Sequence, residues 1–188
     1  MINKLLLLNS SITLPNIITI LRILLTPLFI IFILKDMLIF ALIVFTLAGI
    51  SDGLDGFIAR CYNQKSELGA HLDPIADKLL LSSGFICLAS LGKIPNWLAV
   101  IVISRDIIIF IGLAVCYISN VKVPIKPSIA SKITTFTQLV TVFLALCNIN
   151  ESFMSYIYMF FYWLTALLTI YSGLHYVYVG LNLLHEDK

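Results

Sequence analysis

Residues 37–60 read MLIFALIVFTLAGISDGLDGFIAR. From Met37 to Ser51 there is no charge, and the apolar residues run on without the period-two alternation of a strand. Such a run is the pattern of a helix suited to hydrocarbon, where about 20 residues make one crossing. Asp52 and Asp55 then appear in the same segment, before Arg60. One charged side chain at a bilayer centre costs about 2.5–3.5 kcal/mol even on the lenient insertion scale. The stretch therefore describes a spanning helix whose last turns must face a wet cavity and meet cations there.

The rest of the chain agrees. Of 188 residues, 60% are hydrophobic and 12% charged, against about 25% charged in an ordinary soluble domain. Too little polar surface remains to coat a water-soluble globule. That excludes a soluble enzyme, a disordered chain and a nucleic-acid binder; no nucleic-acid partner is expected. Six apolar segments stand out, at about Pro15–Leu34, Met37–Arg60, Leu68–Leu91, Pro95–Ile118, Ser131–Ile149 and Phe153–Leu184. The expectation is an all-α integral membrane protein with six transmembrane helices, forming a single domain over residues 1–188. Pro15 suits a helix start, and Pro27 is expected to kink the first helix. The last segment exceeds one crossing and is expected to tilt or project into water. Residues 1–12 read as an interfacial helix rather than a signal peptide.

Lys4, Arg60, Lys65, Lys122, Lys126, Lys132 and Lys188 fall at one face of the six-span arrangement, and Lys35 and Lys93 at the other. The positive-inside rule makes the first face cytoplasmic, with both termini and the loop after the second span. The expected location is a bacterial inner (plasma) membrane. Cys61, Cys87, Cys116 and Cys147 form no C-x-x-C pair, so no disulfide framework or zinc site is expected.

Asp52 and Asp55 lie at i, i+3; Asp73 and Asp77 lie at i, i+4. Each spacing puts its pair on one face of a helix. A tight connection, Cys61 to Glu67, folds the two helices antiparallel, so four carboxylates converge near the cytoplasmic surface. Hard oxygen donors without neighbouring His or Cys favour Mg²⁺ or Mn²⁺ over zinc. Four of them suit two such ions about 3.5–4 Å apart, the arrangement of phosphoryl chemistry. Gly56 and Gly69 lie one turn from Asp52 and Asp73 respectively, where a ligand or a neighbouring backbone comes close; ordinary small-residue helix packing explains them equally. A purely structural salt-bridge network is the alternative for the acids, but too few bases lie near them in sequence to serve it, mainly Arg60 and Lys78.

From Asp52 to Asp77 the chain reads Asp-x-x-Asp-Gly-x-x-Ala-Arg, eight residues, then Gly-x-x-x-Asp-x-x-x-Asp. This resembles the signature of the CDP-alcohol phosphatidyltransferase family, with every fixed position present. Leu14-Pro15-Asn16, Thr19, Arg22 and Pro27 resemble the first span of that family's phosphatidylglycerophosphate synthase and cardiolipin synthase members, as does Asp73-Pro74-x-Ala76-Asp77-Lys78. The resemblance implies transfer of a phosphatidyl group from CDP-diacylglycerol to an alcohol with release of CMP. It implies two divalent cations, Mg²⁺ or Mn²⁺, on Asp52, Asp55, Asp73 and Asp77, with Asp77 also the catalytic base. It implies CDP-diacylglycerol contacts from Gly56, Ala59, Arg60 and Gly69: room for the nucleotide at Gly56 and Ala59, and a hold on phosphate from Arg60. Membrane lipid and a second copy of the chain, as a homodimer, are the other implied partners. With two divalent ions the charge of acids, pyrophosphate and Arg60 sums to about −1, and without them to about −5, which a low-dielectric pocket would not bring together with substrate.

The acceptor is less determined. Arg22, Arg105 and Lys132 are the candidates for holding an acceptor phosphate. The alternatives are a mutual pair for Arg105 with Asp106, and snorkelling to the interface for Arg22 and Lys132. By resemblance glycerol-3-phosphate leads, as the commoner acceptor among bacterial members of this look, and phosphatidylglycerol is close behind, because Ser104-Arg105-Asp106 and Lys126-Pro127-Ser128 look closer to the cardiolipin synthases. His71 reads as a rim residue, and the aromatic residues of the last segment as interfacial belts and packing. The rival from another class, an ion-coupled transporter, predicts acids spread along a path and an inverted repeat. Neither pattern is present in the sequence.

Overall fold

A computed structural model describes residues 14–62, 67–118, 129–149 and 152–186; for 14–18, 52–62, 67–75, 113, 116–118, 152–153, 181 and 183–186 the description is of the backbone alone. The expected interfacial helix over 1–12 lies outside these residues. Among the described residues every regular element is helical: α1 Leu14–Leu34, α2 Leu38–Tyr62, α3 Glu67–Ser90, α4 Asn96–Ile118, α5 Ile129–Cys147 and α6 Ser152–Glu186. Each of the six apolar segments becomes one helix. Pro15 sits in the first turn of α1, where its missing N–H is not needed, and the helix continues through Pro27 without a break.

The chain divides into two compact units, Met1–Cys87 and Leu88–Lys188. In the first, α1 buries Thr19, Arg22, Thr26, Phe29 and Ile33, and α2 buries Leu38, Ala41, Val44, Phe45 and Ala48. Both sets step by three and four residues, the spacing of a seam between packed helices. The Phe29 and Phe45 rings stack across it at 5.6 Å. Opposite the seam, Leu24, Leu28, Ile39, Ile43 and Leu47 are exposed. From α3 this unit buries Ala76, Leu80, Leu81 and Phe85.

In the second unit the usual distribution is inverted. The buried residues of α5 are Thr134, Thr137, Gln138, Thr141, Val142, Ala145 and Leu146. Those of α6 are Thr165, Ala166, Thr169, Ser172 and Gly173. Large apolar side chains such as Phe136, Leu167, Ile170 and Leu174 point outward. The facing hydroxyls pair as an antiparallel ladder: Thr141 Oγ1 to Thr165 Oγ1 at 2.7 Å, Gln138 Nε2 to Thr169 Oγ1 at 3.1 Å, and Thr134 Oγ1 to the Leu168 carbonyl at 3.1 Å. Apolar surroundings give helices no hydrophobic reason to associate, so small residues and interhelical hydrogen bonds take that part. By length and composition, Ile129–Cys147 and Met154–Gly180 could each cross a bilayer, and only 28% of an 18-residue stretch of the latter is buried. A core helix of a soluble protein would be mostly covered. The fold is therefore all-helical and consistent with a membrane protein.

Three helices end on a left-handed residue: Asp36 (φ 55°) after α1, Gly92 (φ 69°) after α3 and Asn148 (φ 46°) after α5. Gly, Asn and Asp are the residues that adopt this conformation most readily. After α1, Asp36 N–H donates to the Ile33 carbonyl at 2.8 Å and Met37 N–H to that of Phe32 at 2.9 Å; after α3, Gly92 N–H donates to Ala89 at 3.0 Å and Lys93 N–H to Leu88 at 2.9 Å. These bonds satisfy the last carbonyls of each helix and reverse the chain in a few residues. In the second unit, Lys93 Nζ donates to Asn148 Oδ1 at 3.0 Å and Tyr162 Oη to the Lys93 carbonyl at 2.8 Å. The turns after α3 and α5 thus lie together, beside the Trp97 and Trp163 rings, which are 5.3 Å apart.

A Cβ at Gly92 meets nothing within 4 Å, so Gly92→Ala tests backbone strain alone. It is expected to lower stability by about 1 kcal/mol, and Asp36→Gly to raise it by a few tenths up to about 1 kcal/mol. Unfolding of the purified protein in detergent measures both, and the opposite signs are the check.

Candidate active site

The signature acids fall on two consecutive helices. Asp52 and Asp55, with Gly56, Ala59 and Arg60, occupy the last three turns of α2; Gly69, Asp73 and Asp77 occupy the first three turns of α3. The i, i+3 and i, i+4 spacings are therefore realised on helical backbone, and each pair shares a helix face. The side chains of Asp52, Asp55, Ala59, Arg60, His71 and Asp73, and the surroundings of Gly56 and Gly69, lie outside the described residues, as does the link 63–66. Among the described residues, no three His, Cys, Asp or Glu side chains gather as a metal site.

Asp77 is described. It is partly open, and its Oδ1 accepts a hydrogen bond and ion pair from Nη1 of Arg22 on α1. Arg22 is one of the largest fully buried side chains of the chain, set in the α1 seam between Thr19 and Thr26. Its backbone carbonyl accepts the Thr26 hydroxyl at 3.0 Å. Arg22 therefore does not snorkel outward; it turns inward, onto the last acid of the signature. Sequence reading had no partner for it. The available signal was a charge at a seam position of an otherwise Thr- and Phe-lined face, which requires a buried or half-buried acid opposite it.

The other acceptor candidates belong to the second unit. Arg105 and Asp106, both nearly fully buried, pair through Nη1 and Oδ1 at 2.8 Å. Nη2 of Arg105 also donates to Ser131 Oγ on α5 at 2.8 Å and to Ser172 Oγ on α6 at 3.0 Å. The guanidinium carbon stands 5.9 Å from the centroid of the Tyr176 ring, within cation–π range. A Cβ at Gly173 would stand 3.4 Å from Cγ of Arg105, so the glycine lets α6 approach this arginine closely. Arg105 thus joins α4, α5 and α6 at one buried point, and the mutual pair with Asp106 is present. Its Nε is buried without a partner among the described residues. Lys132, next to Ser131, is exposed.

A sequence model of the CDP-alcohol phosphatidyltransferases matches residues 12–171, which include all four signature acids and both Arg22 and Arg105. The chain belongs to the CDP-alcohol phosphatidyltransferase family. Among its relatives, the rat (Rattus norvegicus) cardiolipin synthase (CMP-forming) is 37% identical over 187 residues, covering 89% of this chain and 61% of that protein. A probable phosphatidylglycerophosphate synthase of Mycobacterium tuberculosis is 34% identical over 136 residues, covering 69% and 63%. A CDP-diacylglycerol–glycerol-3-phosphate 3-phosphatidyltransferase of Rickettsia felis is 32% identical over 169 residues, covering 87% and 92%. The chain spans about three fifths of the length of the curated relatives it matches first.

Arg105 is the buried junction of three helices, so breaking its ion pair leaves an unmatched buried charge. Asp106→Ala is expected to destabilise the protein by about 3 kcal/mol, and Asp106→Asn, which keeps an acceptor, by less. Thermal unfolding in detergent checks the order of the two.

Proposed function

We propose that this chain is an integral membrane enzyme of six transmembrane helices that transfers the phosphatidyl group of CDP-diacylglycerol to glycerol-3-phosphate, giving phosphatidylglycerophosphate and CMP. The observation that carries the reading is the position of the signature acids on consecutive helices, α2 and α3, inside the matched family segment. Relatives named for this reaction, including the Rickettsia protein, support the choice of acceptor. The outward-facing Leu, Ile and Phe of the helices support the bilayer, and the grouping of Lys93, Trp97, Tyr162 and Trp163 at one end supports a membrane–water boundary there. On this reading the acids, both termini and most of the basic residues face the cytoplasm of a bacterial inner membrane. The lipid tails of the substrate enter from the bilayer while the nucleotide stays at the aqueous mouth. The active form is a homodimer.

Asp52, Asp55, Asp73 and Asp77 fit as a set of hard oxygen donors for two Mg²⁺ or Mn²⁺ ions, whose charge would offset the pyrophosphate and the departing CMP. The protein supplies the rest. Gly56 and Ala59 leave room for the cytidine, Gly69 lets the lipid nucleotide approach, and Arg60 holds a phosphate oxygen. Asp77 accepts the proton of the acceptor hydroxyl as its oxygen bonds to the phosphorus of the phosphatidyl group. The bond from that phosphorus to the CMP oxygen breaks, and CMP leaves as the anion. An aspartate is a weak base for an alcohol, so its worth lies in placement and in proton transfer late in the attack.

A second reading has phosphatidylglycerol as acceptor and cardiolipin as product. It is favoured by the 37% identity to the rat cardiolipin synthase over 89% of the chain. Purified protein given Mg²⁺ or Mn²⁺ and CDP-diacylglycerol is expected to release CMP with glycerol-3-phosphate and to lose it on chelation. Release with phosphatidylglycerol alone selects the second reading, and none with either alcohol rejects both. Asp77→Asn is expected to lower the rate by about 10²–10⁴-fold, measured as CMP formed per minute.

A further inference from the structure

Arg22 and Asp77 form an unequal pair. The arginine side chain is 1% exposed, whereas that of the aspartate is 45% exposed. Arg22 lies at a seam position of α1, with Thr19 and Thr26 one turn to either side and Phe29 and Ile33 further along the same face. Packing on that face leaves the guanidinium little freedom. It reaches across to another helix, donating from Nη1 to Oδ1 of a residue 55 positions away. Here the donor is locked and the carboxylate stays accessible.

An aspartate side chain has two torsions, and the outer one is broad and soft. Fixing one carboxylate oxygen on an immobile donor sets both torsions, and so sets where the second oxygen points. A base whose value lies in placement is sensitive to that setting, since a displacement of about 1 Å can cost a rate on the order of 10²-fold. An arginine with this burial and this bond has little surface left to offer a ligand's phosphate.

We propose that Arg22 is the positioning residue of Asp77: it orients the carboxylate for proton transfer and does not bind the acceptor. The proposal rests on the transferase reading given above. In it α1 takes part in catalysis through α3, without touching the reacting atoms.

The test uses the full chain in detergent, as Arg22→Lys, Arg22→Gln, Asp77→Asn and the double variant Arg22→Gln/Asp77→Asn. Two measurements are made: melting temperature in chelator, and kcat and KM for whichever acceptor the wild-type protein uses. Arg22→Gln is expected to lower the melting temperature in the wild-type background and much less in the Asp77→Asn background, since the partner is already gone. Arg22→Lys keeps the charge but not the planar fork. It is expected to melt near the wild-type temperature, yet to lose about tenfold or more in kcat with acceptor KM held within about threefold. A raised acceptor KM with kcat retained overturns the proposal in favour of acceptor binding. Additive melting shifts, or full kcat in Arg22→Lys, overturn it as well. A wild-type protein that releases no CMP rejects the transferase reading and the positioning role together, whereas the other adverse results remove the positioning role alone.

Discussion

The ion pair from Arg22 to Asp77 ties α1 to α3, and through it to the family's signature motif. A guanidinium buried among Thr and Phe side chains has to find an anion, because an unmatched charge in such surroundings costs several kcal/mol. That requirement selects one approach of α3 to α1 among the many that apolar packing would tolerate. The seam between α1 and α2, with Phe29 stacked on Phe45, supplies contact area with less directional preference. Polar matching specifies the arrangement, and apolar packing fills it.

The second unit obeys the same constraint with weaker groups. Thr134, Gln138 and Thr141 of α5 meet α6 by hydrogen bonds, and Arg105 collects Asp106, Ser131 and Ser172 at one point. Outside the helices, Leu, Ile and Phe predominate. The inversion is what a hydrocarbon solvent asks for. Polar groups gain most from being inside and paired, and apolar ones lose nothing by facing out.

Much of this was legible in the amino-acid order. Six apolar runs became six helices, because an apolar run with few polar side chains has little choice but to satisfy its own backbone. The family could be read from the spacing of Asp52, Asp55, Gly56, Ala59, Arg60, Gly69, Asp73 and Asp77, since acids that share one helix face leave a periodic trace. What could not be read was pairing between helices. Nothing local relates Arg22 to Asp77, or Arg105 to Ser131 and Ser172. The snorkelling weighed as the alternative for Arg22 gave way because its seam position points it inward. The left-handed ends at Asp36, Gly92 and Asn148 are the reverse case: Asp, Gly and Asn just past apolar runs were a legible signal that the span boundaries alone did not use.

The hydroxyls of α5 have a consequence for how such a chain is made. Thr134, Thr135, Thr137 and Thr141 each donate to a carbonyl one turn back in their own helix, at 2.8–3.1 Å. On the membrane-spanning reading, α5 emerges into lipid before α6 has been synthesised. Its threonines are already satisfied at that moment, and need no partner helix to enter the bilayer. Gln138 has no such recourse: its amide waits for Thr169. With the further contacts of Thr134 and Thr141 to α6, it gives the newly inserted helix an incentive to capture the next, so the order of synthesis and the order of assembly coincide.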